Sequence, residues 1–283
     1  MSKLERKIDF AALITVDMAN CNGDPLNGNR PRVDFNGRGE ISDVCIKRKI
    51  RNRMQDLGYP IFVQSEDRCD DGMDSLSKRA NAALKGLKSK QEYAEAACRK
   101  WLDVRAFGQV FAFKGDKKDG DGVSVGVRGP VSIHQAVSLS PVDVLTRQIT
   151  KSVNGESGDK RSADTMGFKH MIRFGLYLLK GSINVQLAEK TGFSEEDAEV
   201  LKQCLLTLFR NDVSSARPDG SMSVHRLYWW EHNCKDGQYS SKTVHQSLRV
   251  TLKESVELPS SVDDYQIEWL PLEGLSCEEL AGE

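Results

Sequence analysis

Basic and amide side chains are concentrated in residues 20–53. The segment NCNGDPLNGNRPRVDFNGR, residues 20–38, combines turn-forming residues with arginines, and DVCIKRKIRNR, residues 43–53, adds a run of cations. Amide and guanidinium groups are donors suited to the oxygens of phosphates and sugars. Between positions 30 and 53 there are eight Arg or Lys residues and three acidic residues. These residue types therefore predict a binding site for a polyanion, in a chain whose formal net charge is only −1.

Helical periodicity assigns the side chains of residues 43–57 to two faces. At about 100° per residue, the apolar side chains form one stripe: Ile46, Ile50, Met54 and Leu57. The opposite face carries three cations: Lys47, Arg48 and Arg51. That face has no acidic residues interleaved with its cations, so the like charges repel each other. A solvated polar face is the ordinary interpretation of such a helix, whereas uncompensated cations favour contact with a nucleic-acid backbone.

The loop that precedes this helix does not match the common phosphate-binding motifs. Residues 20–38 contain neither GxxxxGK[ST] nor GxGxxG, so neither a P-loop nor a dinucleotide fold is predicted. DGDG at 119–122 has no suitably spaced Glu for a calcium loop and is typical of a hairpin tip. The loop is therefore interpreted as an extension of the basic surface, through Asn20, Asn22, Arg30 and Arg32.

Composition limits the class of protein. The 283 residues are 39% hydrophobic and 29% charged, which predicts a globular chain of one large domain or two small ones. The apolar runs are too short to cross a bilayer, and the seven cysteines form no CxxC motif. His225, His232 and Cys234 lack a recognised metal-ligand spacing. We therefore expect a cytoplasmic protein with free thiols, no cofactor, no metal and no membrane partner.

Periodicity places elements along the whole chain. Alternation predicts strands at 8–18, 107–113, 123–133, 142–151, 170–187, 221–232 and 247–252. Helices are predicted at 43–57, within 75–102 and at 194–211, where Ser194 is the expected cap. The acidic stretch from residue 254 to the end is expected to be peripheral. This order favours an α+β sandwich of the ferredoxin-like or RNA-recognition type.

Ordered sequence blocks carry a family resemblance over roughly residues 8–235. The blocks are NGDPLNGNRPR, DVCIKRKIR, DVRAFGQVF, GVRGPVSI, DTMGFKHMIRFGLY, TGFSEEDAEVL and SSARPDGSMSV. Together they resemble the Cas-seven backbone subunit of CRISPR surveillance complexes, most closely the Csd-type subunit of the type I-C Cascade complex. The acidic C-terminal stretch carries no recognised motif.

The resemblance implies a fold with three parts. An RNA-recognition-motif-like (ferredoxin-like) palm would carry a helical fingers insertion and a long β-hairpin thumb. The expected division is 1–59 for the first part of the palm, 60–104 for the fingers, 105–137 for the palm, 138–168 for the thumb, and 169–283 for the palm and C-terminal region.

The resemblance also implies a non-catalytic function in antiviral defence. Such subunits polymerise head-to-tail along the spacer of the CRISPR guide RNA (crRNA), each copy covering about six nucleotides, and present the guide for pairing with a target DNA strand. The implied protein partners are further copies of the chain and the Cas-five-type, large Cas-eight-type and small subunits of Cascade. A helicase-nuclease recruited later would cut the DNA.

Guide-binding residues are transferred from the family by position. The palm candidates are Asn20, Asn22, Arg30, Arg32, Lys47, Arg48, Arg51, Lys169 and Arg217. The thumb candidates are Arg147, Gln148, Lys151, Lys160, Arg161 and Met166. Met166 is expected to act as a wedge, since an unbranched apolar side chain can slip between unstacked bases.

Two other functions remain open at this stage. An endoribonuclease of the same superfamily, metal-dependent or not, needs a general acid and base. None of the five histidines (134, 170, 225, 232 and 245) belongs to the basic loop, although Asp24 or Asp34 offers a carboxylate. A small-molecule enzyme that binds a phosphorylated ligand is less favoured, because no nucleophile–base pair follows the loop.

Overall fold

A computed structural model of the chain describes residues 2–87, 89–113, 123–150 and 166–283. Its strands are β1 (Ile8–Ala19), β2 (Gly23–Asp24), β3 (Arg30–Pro31), β4 (Arg38–Ile41), β5 (Gly108–Phe113), β6 (Val123–Arg128), β7 (Val131–Ile133), β8 (Ala136–Pro141), β9 (Val144–Thr150), β10 (Met166–Ile183), β11 (Met222–Glu231), β12 (Leu248–Leu252), β13 (Tyr265–Trp269) and β14 (Ser276–Ala281). Its helices are α1 (Asp43–Asp56), α2 (Leu76–Leu84), α3 (Lys90–Lys100), α4 (Leu102–Phe107), α5 (Val185–Thr191), α6 (Glu195–Leu206) and α7 (Ser241–Ser247).

An antiparallel sheet forms the centre of this mixed α/β fold. Its strand order is β14-β11-β1-β10-β8-β4, and β7 and β9 also pair with β10. β1 pairs with β10 from Ile8 opposite Ile183 to Ala19 opposite Ile172. On its other side β1 pairs with β11. The central strands and the two helices between them are therefore supplied, in chain order, by β1, α1, β8, β10, α6 and β11.

Both faces of β1 are buried, which explains its continuous apolar run. Phe10 and Ile14 point into one hydrophobic cluster together with residues of α1 and α6. Ala11 and Leu13 point into a second cluster, on the opposite face, with residues of α7, β12 and β13. Because side chains alternate across a strand, the sheet lies between two covering layers. The strand predicted at 8–18 is confirmed.

Helix α1 begins as predicted and ends one residue earlier. The Ser42 hydroxyl accepts a hydrogen bond from the Cys45 amide at 3.3 Å and caps the helix. Ile46, Ile50 and Met54 are fully buried against the sheet. Leu57 lies beyond the last helical residue and is 44% exposed, so its predicted place in the buried stripe is wrong.

A separate hydrophobic cluster lies beside the sheet. Phe62 is the centre of an aromatic group in which its ring lies 4.7 Å from Trp101 and 5.0 Å from Phe111. Helices α2 to α4 and the β5–β6 hairpin contribute to this cluster. The residues of this cluster extend past position 104 and include Phe111 of β5 and Val125 of β6.

The predicted strand 123–133 is divided in two at Gly129 and Pro130. Its first part, β6, pairs with β5, and its second part, β7, pairs with β10 in the central sheet. A Cβ on Gly129 would collide with the Ala106 carbonyl oxygen, so only glycine allows this close approach. Proline then removes a backbone donor and favours the change of sheet.

The predicted strand 170–187 is displaced toward the N-terminus. β10 begins at Met166 and ends at Ile183, and α5 follows. The Asn184 side chain accepts from the Leu187 amide at 2.8 Å and so caps α5. The N-terminal part of β10 pairs with β9 from Met166 opposite Thr150 to Ile172 opposite Val144.

The acidic C-terminal stretch is part of the core, so its predicted peripheral position is wrong. β14 extends the central sheet by pairing with β11. Tyr265 and Leu275 are buried in the cluster that covers one face of the sheet. Lys202 from α6 binds Glu278 at 2.9 Å. In the part of the chain that the structure describes, no helix is long and apolar enough to cross a membrane.

Candidate nucleic-acid interface

A cleft of about 430 Å³ lies where the loop after β1 meets the β9–β10 hairpin. Three segments line it: the loop with Asn20, Gly28 and Asn29; the hairpin with Ile149, Phe168, Lys169 and His170; and Ser215 with Ala216. The third segment is joined to the first because the Asn20 backbone amide donates to the Ala216 carbonyl oxygen at 2.8 Å. Residues far apart in sequence thus form a single concave surface.

Local hydrogen bonds fold the loop back on itself. The Asp24 carboxylate accepts from the Leu26 amide at 3.2 Å, which starts a short turn. Gly28 and Asn29 have positive φ angles of 57° and 58°, a conformation that Gly and Asn tolerate best. The Asn20 side-chain amide then donates to the Asn29 carbonyl oxygen at 2.7 Å. The abundance of Gly and Asn in this segment therefore has a conformational cause.

Arg30 joins the loop to the hairpin. Its guanidinium Nη1 lies 3.0 Å from Thr146 Oγ1 and 3.5 Å from His170 Nδ1. Thr146 and His170 are cross-strand partners on β9 and β10, and their side chains are 2.9 Å apart. Neither partner is an acid, and no carboxylate of the described residues pairs with Arg30. Its positive charge is therefore not neutralised by any carboxylate of the described residues.

The hairpin stem carries further polar and apolar groups. Lys169 lies opposite Arg147 in the register, and neither is paired with a carboxylate of the described residues. Gln148 donates to the Met166 sulfur at 3.1 Å. Met166 is 54% exposed and Phe168 is 67% exposed. The predicted residues Lys151, Lys160 and Arg161 lie outside the described residues.

The other predicted residues of the loop and palm make contacts with groups of the protein itself. Asn22 accepts from the Ser42 amide at 2.9 Å and so ties the loop to the start of α1. Arg32 pairs with Asp24 at 3.4 Å. Arg217 pairs with Asp212 at 2.9 Å, and Lys49 binds the same carboxylate. These contacts position the loop and the segment beside the cleft.

The cations of α1 are compensated, so the predicted lack of acidic partners is wrong. Lys47 pairs with Asp43 at 3.1 Å, and Arg51 pairs with the buried Asp103 at 2.8 Å. Arg48 donates to a backbone carbonyl oxygen, that of Val63, at 2.7 Å. Burial lowers the pKa of the Arg48 guanidinium, and the charge of Arg51 acts in the same direction.

A histidine side chain lies closer to the loop than the sequence indicated. Although no histidine belongs to the loop, the fold places His170 beside Arg30 in the cleft. Asp34 Oδ1 accepts from the amides of Asn36 and Arg38, each at 2.8 Å, and is thus used in a turn. Among the described residues, no group of three or more His, Cys, Asp or Glu side chains is arranged to hold a metal.

Sequence reasoning missed several residues of the site, among them Thr146, Phe168, His170 and Ala216. The alternation in MGFKHMIRF, residues 166–174, contains a signal for two of them, because Met166, Phe168 and His170 share one face of a strand. The position of Ala216 follows only from its backbone contact with Asn20. No local pattern could have predicted it.

The fold and the cleft define an antiparallel α/β protein with unpaired cations at the junction of a loop and a hairpin. The family model described as CRISPR-associated protein Cas7 matches residues 6–269. The chain therefore belongs to the Cas7 family, as its sequence blocks predicted. A CRISPR-associated protein Cas7 from Haloferax volcanii is 27% identical to it over 220 residues, which are 72% of this chain. The chain spans 64% of the length of that relative.

Solved structures give a similarity of fold. A chain from a CRISPR RNA-guided surveillance complex, pre-nicking, aligns with a TM-score of 0.51 and 14% sequence identity. The alignment covers 79% of this chain and 78% of that chain, so most of the two folds correspond. A chain from a second CRISPR RNA-guided surveillance complex aligns with a TM-score of 0.42 and 17% identity, over 79% of this chain and 68% of the other.

Proposed function

We propose that the chain is a non-catalytic crRNA-binding subunit of a type I-C Cascade complex. The observation that carries this proposal is the cleft in which Asn20, Lys169 and His170 come together beside the unpaired Arg30. Family membership favours CRISPR RNA as the ligand, and the ordered sequence blocks favour the type I-C subtype. The subunit presents its guide for pairing with target DNA.

The three-part architecture is part of this proposal. Strand order β11-β1-β10-β8, with α1 and α6 in one hydrophobic cluster, supports an RNA-recognition-like palm. The aromatic cluster around Phe62 supports a fingers insertion that begins near residue 60. The β9–β10 pairing supports a thumb whose stem borders the cleft.

Binding of the guide uses its backbone and leaves its sequence to base pairing. Arg30 and Lys169 supply charge for phosphates, which carry no sequence information. Phe168 and Ile149 are 67% and 52% exposed beside them and offer apolar surface to riboses and bases. A subunit that must hold any spacer needs contacts of this kind, because the sequence is read by pairing with the target.

Assembly follows because many copies of the chain bind to one long RNA. Copies that contact the guide in the same orientation meet through unlike surfaces, and such head-to-tail contacts produce an open helix. The Cas-five-type, Cas-eight-type and small subunits would complete the complex at its ends and along its side. A helicase-nuclease recruited later would cut the target DNA.

Fluorescence anisotropy with labelled, unstructured RNAs of several sequences tests the proposal. We expect similar affinities for all sequences and a log–log plot of affinity against salt with a steep negative slope. The same titration with one structured hairpin provides the comparison. Tight binding to that hairpin alone, with no binding to unstructured RNA, would contradict the proposal.

A second function, cleavage of RNA, is favoured by one observation, the position of His170 in the cleft. Its Nδ1 is engaged by Thr146 and Arg30, so only Nε2 is available for proton transfer. Incubation of labelled precursor and target RNA, with and without magnesium, distinguishes the two functions. Cleavage that disappears in His170→Ala would establish the enzyme, whereas intact RNA that stays bound supports the scaffold.

A further inference from the structure

Asn20 is a buried side chain with one satisfied group and one unsatisfied group. It is only 4% exposed and lies directly after the end of β1. Its Nδ2 donates to the Asn29 carbonyl oxygen at 2.7 Å. Its Oδ1 is covered and has no hydrogen-bond partner among the residues that the structure describes. Buried acceptors are nearly always paired in folded proteins, so Oδ1 is expected to take a partner from solvent or from a ligand.

The neighbouring groups determine which end of the Asn20 amide is left without a partner. If the amide were reversed, Oδ1 would face the Asn29 carbonyl oxygen, and two acceptors would lie 2.7 Å apart. Nδ2 must therefore point at Asn29. The group that remains for a ligand is an acceptor, although the sequence suggested that Asn20 would act as a donor.

An acceptor at this place excludes a phosphate as the direct partner of Asn20. Phosphate oxygens are themselves acceptors, so they match Arg30 and Lys169 and not Asn20 Oδ1. The donor that every nucleotide of RNA carries, whatever its base, is the ribose 2′-hydroxyl. DNA lacks this group. Because Asn20 lines the same cleft as Lys169, a phosphate and an adjacent ribose can be bound together.

We propose that Asn20 makes the cleft select RNA over DNA by accepting a hydrogen bond from a ribose 2′-hydroxyl. The inference rests on the proposed guide-binding function and assigns one specificity-determining residue to it. The proposal requires the turn 25–29, all five residues of which are exposed, to move far enough for a ribose hydroxyl to reach the covered Oδ1. Binding of a ribose then gives the buried acceptor the partner that the protein does not supply.

Oligouridines that differ only at the 2′ position provide the test. One carries the 2′-hydroxyl and the other carries 2′-fluorine, which keeps an RNA-like sugar pucker and cannot donate. The bases are identical, so base donors contribute equally to both. We expect the wild-type protein to bind the hydroxyl form about tenfold more tightly, the value of one unmade hydrogen bond. Equal affinities would overturn the proposal.

Variants assign the selectivity to Asn20. In Asn20→Ala the ratio of the two affinities is expected to fall close to one. In the control Lys169→Gln both affinities should fall while their ratio is retained, because a phosphate contact does not sense the 2′ position. A ratio that is unchanged in Asn20→Ala would overturn the assignment.

Two further outcomes separate this inference from the proposed function. If Asn20→Ala fails to fold by circular dichroism, Asn20→Ser carries the same test, because its shorter hydroxyl does not reach the position of Oδ1. A wild-type protein that binds no RNA at all contradicts the proposed function. A protein that binds both oligouridines equally retains the proposed function and loses only the role of Asn20.

Discussion

The predicted guide-binding cations form two groups that differ in their partners. Arg48 and Arg51 of α1 are satisfied inside the protein, by a carbonyl oxygen and by Asp103. Lys169 lines the cleft and Arg30 contacts His170 of its lining, and neither cation has an acidic partner among the described residues. A cation that is already paired must break a contact before it binds a phosphate. The unpaired group is therefore expected to dominate RNA binding.

Removing an unpaired cation should weaken RNA binding independently of sequence. For Arg30→Ala and for Lys169→Ala we expect the salt slope of the affinity to decrease by about one unit each. Anisotropy titrations at several salt concentrations measure it. Lys190→Ala is the matched control, since this exposed lysine of α5 lies beyond the far end of β10, and that end is about 45 Å along the strand from Lys169. Equal decreases of the salt slope in all three variants would contradict the assignment of phosphate binding to Arg30 and Lys169.

Stability should depend on pH through a buried histidine. His245 is 5% exposed, its Nε2 lies 3.1 Å from the Gly181 carbonyl oxygen, and burial lowers its pKa. Nearby charged or titratable groups are Asp9, Lys180 and His134, of which Asp9 opposes the shift. Since the folded chain takes up this proton less readily than the unfolded chain, the free energy of unfolding should decrease as the pH falls below about 6.5.

Urea unfolding between about pH 8 and pH 5.5 measures this dependence. In His245→Gln the unfolding free energy should change less steeply with pH over this range than in the wild-type protein. Burial also lowers the pKa of His225, so part of the slope should remain. His134→Gln, a change at the neighbouring exposed ring, should retain most of the slope. A wild-type slope in His245→Gln would contradict the assignment.

The sequence identified the basic segment and could not identify which of its cations are free. The acidic partner of Arg51 is Asp103, which is 52 residues away and is brought close only by the packing of α4 against α1. In the same way, the approach of His170 to Arg30 depends on the pairing of β9 with β10. Local periodicity predicts which residues share a face of a helix, whereas long-range ion pairs depend on the tertiary fold.

At the scale of elements, α1 is joined to the aromatic cluster by one buried carboxylate. Asp103 accepts from the Phe62 amide at 2.6 Å and the Val63 amide at 3.1 Å, in addition to its pair with Arg51. Its side chain is fully buried. The predicted basic helix thus has a structural use, as the element that connects the sheet with the segment after residue 60.

Replacing Asp103 should destabilise this junction strongly. Asp103→Ala leaves two backbone donors and a guanidinium without their acceptor, and we expect a loss of about 3–5 kcal/mol in the free energy of unfolding. Asp43→Ala breaks the more exposed pair with Lys47 and should cost less than about 1 kcal/mol. Urea unfolding of both variants measures the difference. Similar losses of unfolding free energy in the two variants would contradict the role of Asp103 at this junction.

Elements with a strong local signal were predicted well. Ser194 was the expected cap of α6 and forms a capping box with Asp197. The helix nevertheless ends at Leu206 and not at residue 211, and the strand expected at 123–133 is interrupted by Gly129 and Pro130. Ends and interruptions depend on close approaches between distant chain segments, which a sequence pattern does not contain.

At the scale of the whole molecule, the C-terminal region completes the core. The run AALITV in β1 has apolar residues on both faces, which could have indicated that both faces are covered. The covering residues include Tyr265 and Leu275, in a stretch whose acidic composition favoured a peripheral position. Composition failed there because β13 alternates, with Glu268 exposed and Tyr265 buried. In β14, Cys277 and Leu280 pack against the two clusters although both glutamates are exposed.

The central claim is that many copies of the chain bind side by side along one guide. Mass photometry of the protein with unstructured RNAs of increasing length tests this most directly. The bound mass should rise in steps of one 31.6 kDa chain, with one step for about six added nucleotides. Arg30→Ala should show the same steps at higher protein concentration. A single bound chain at every RNA length would contradict the account.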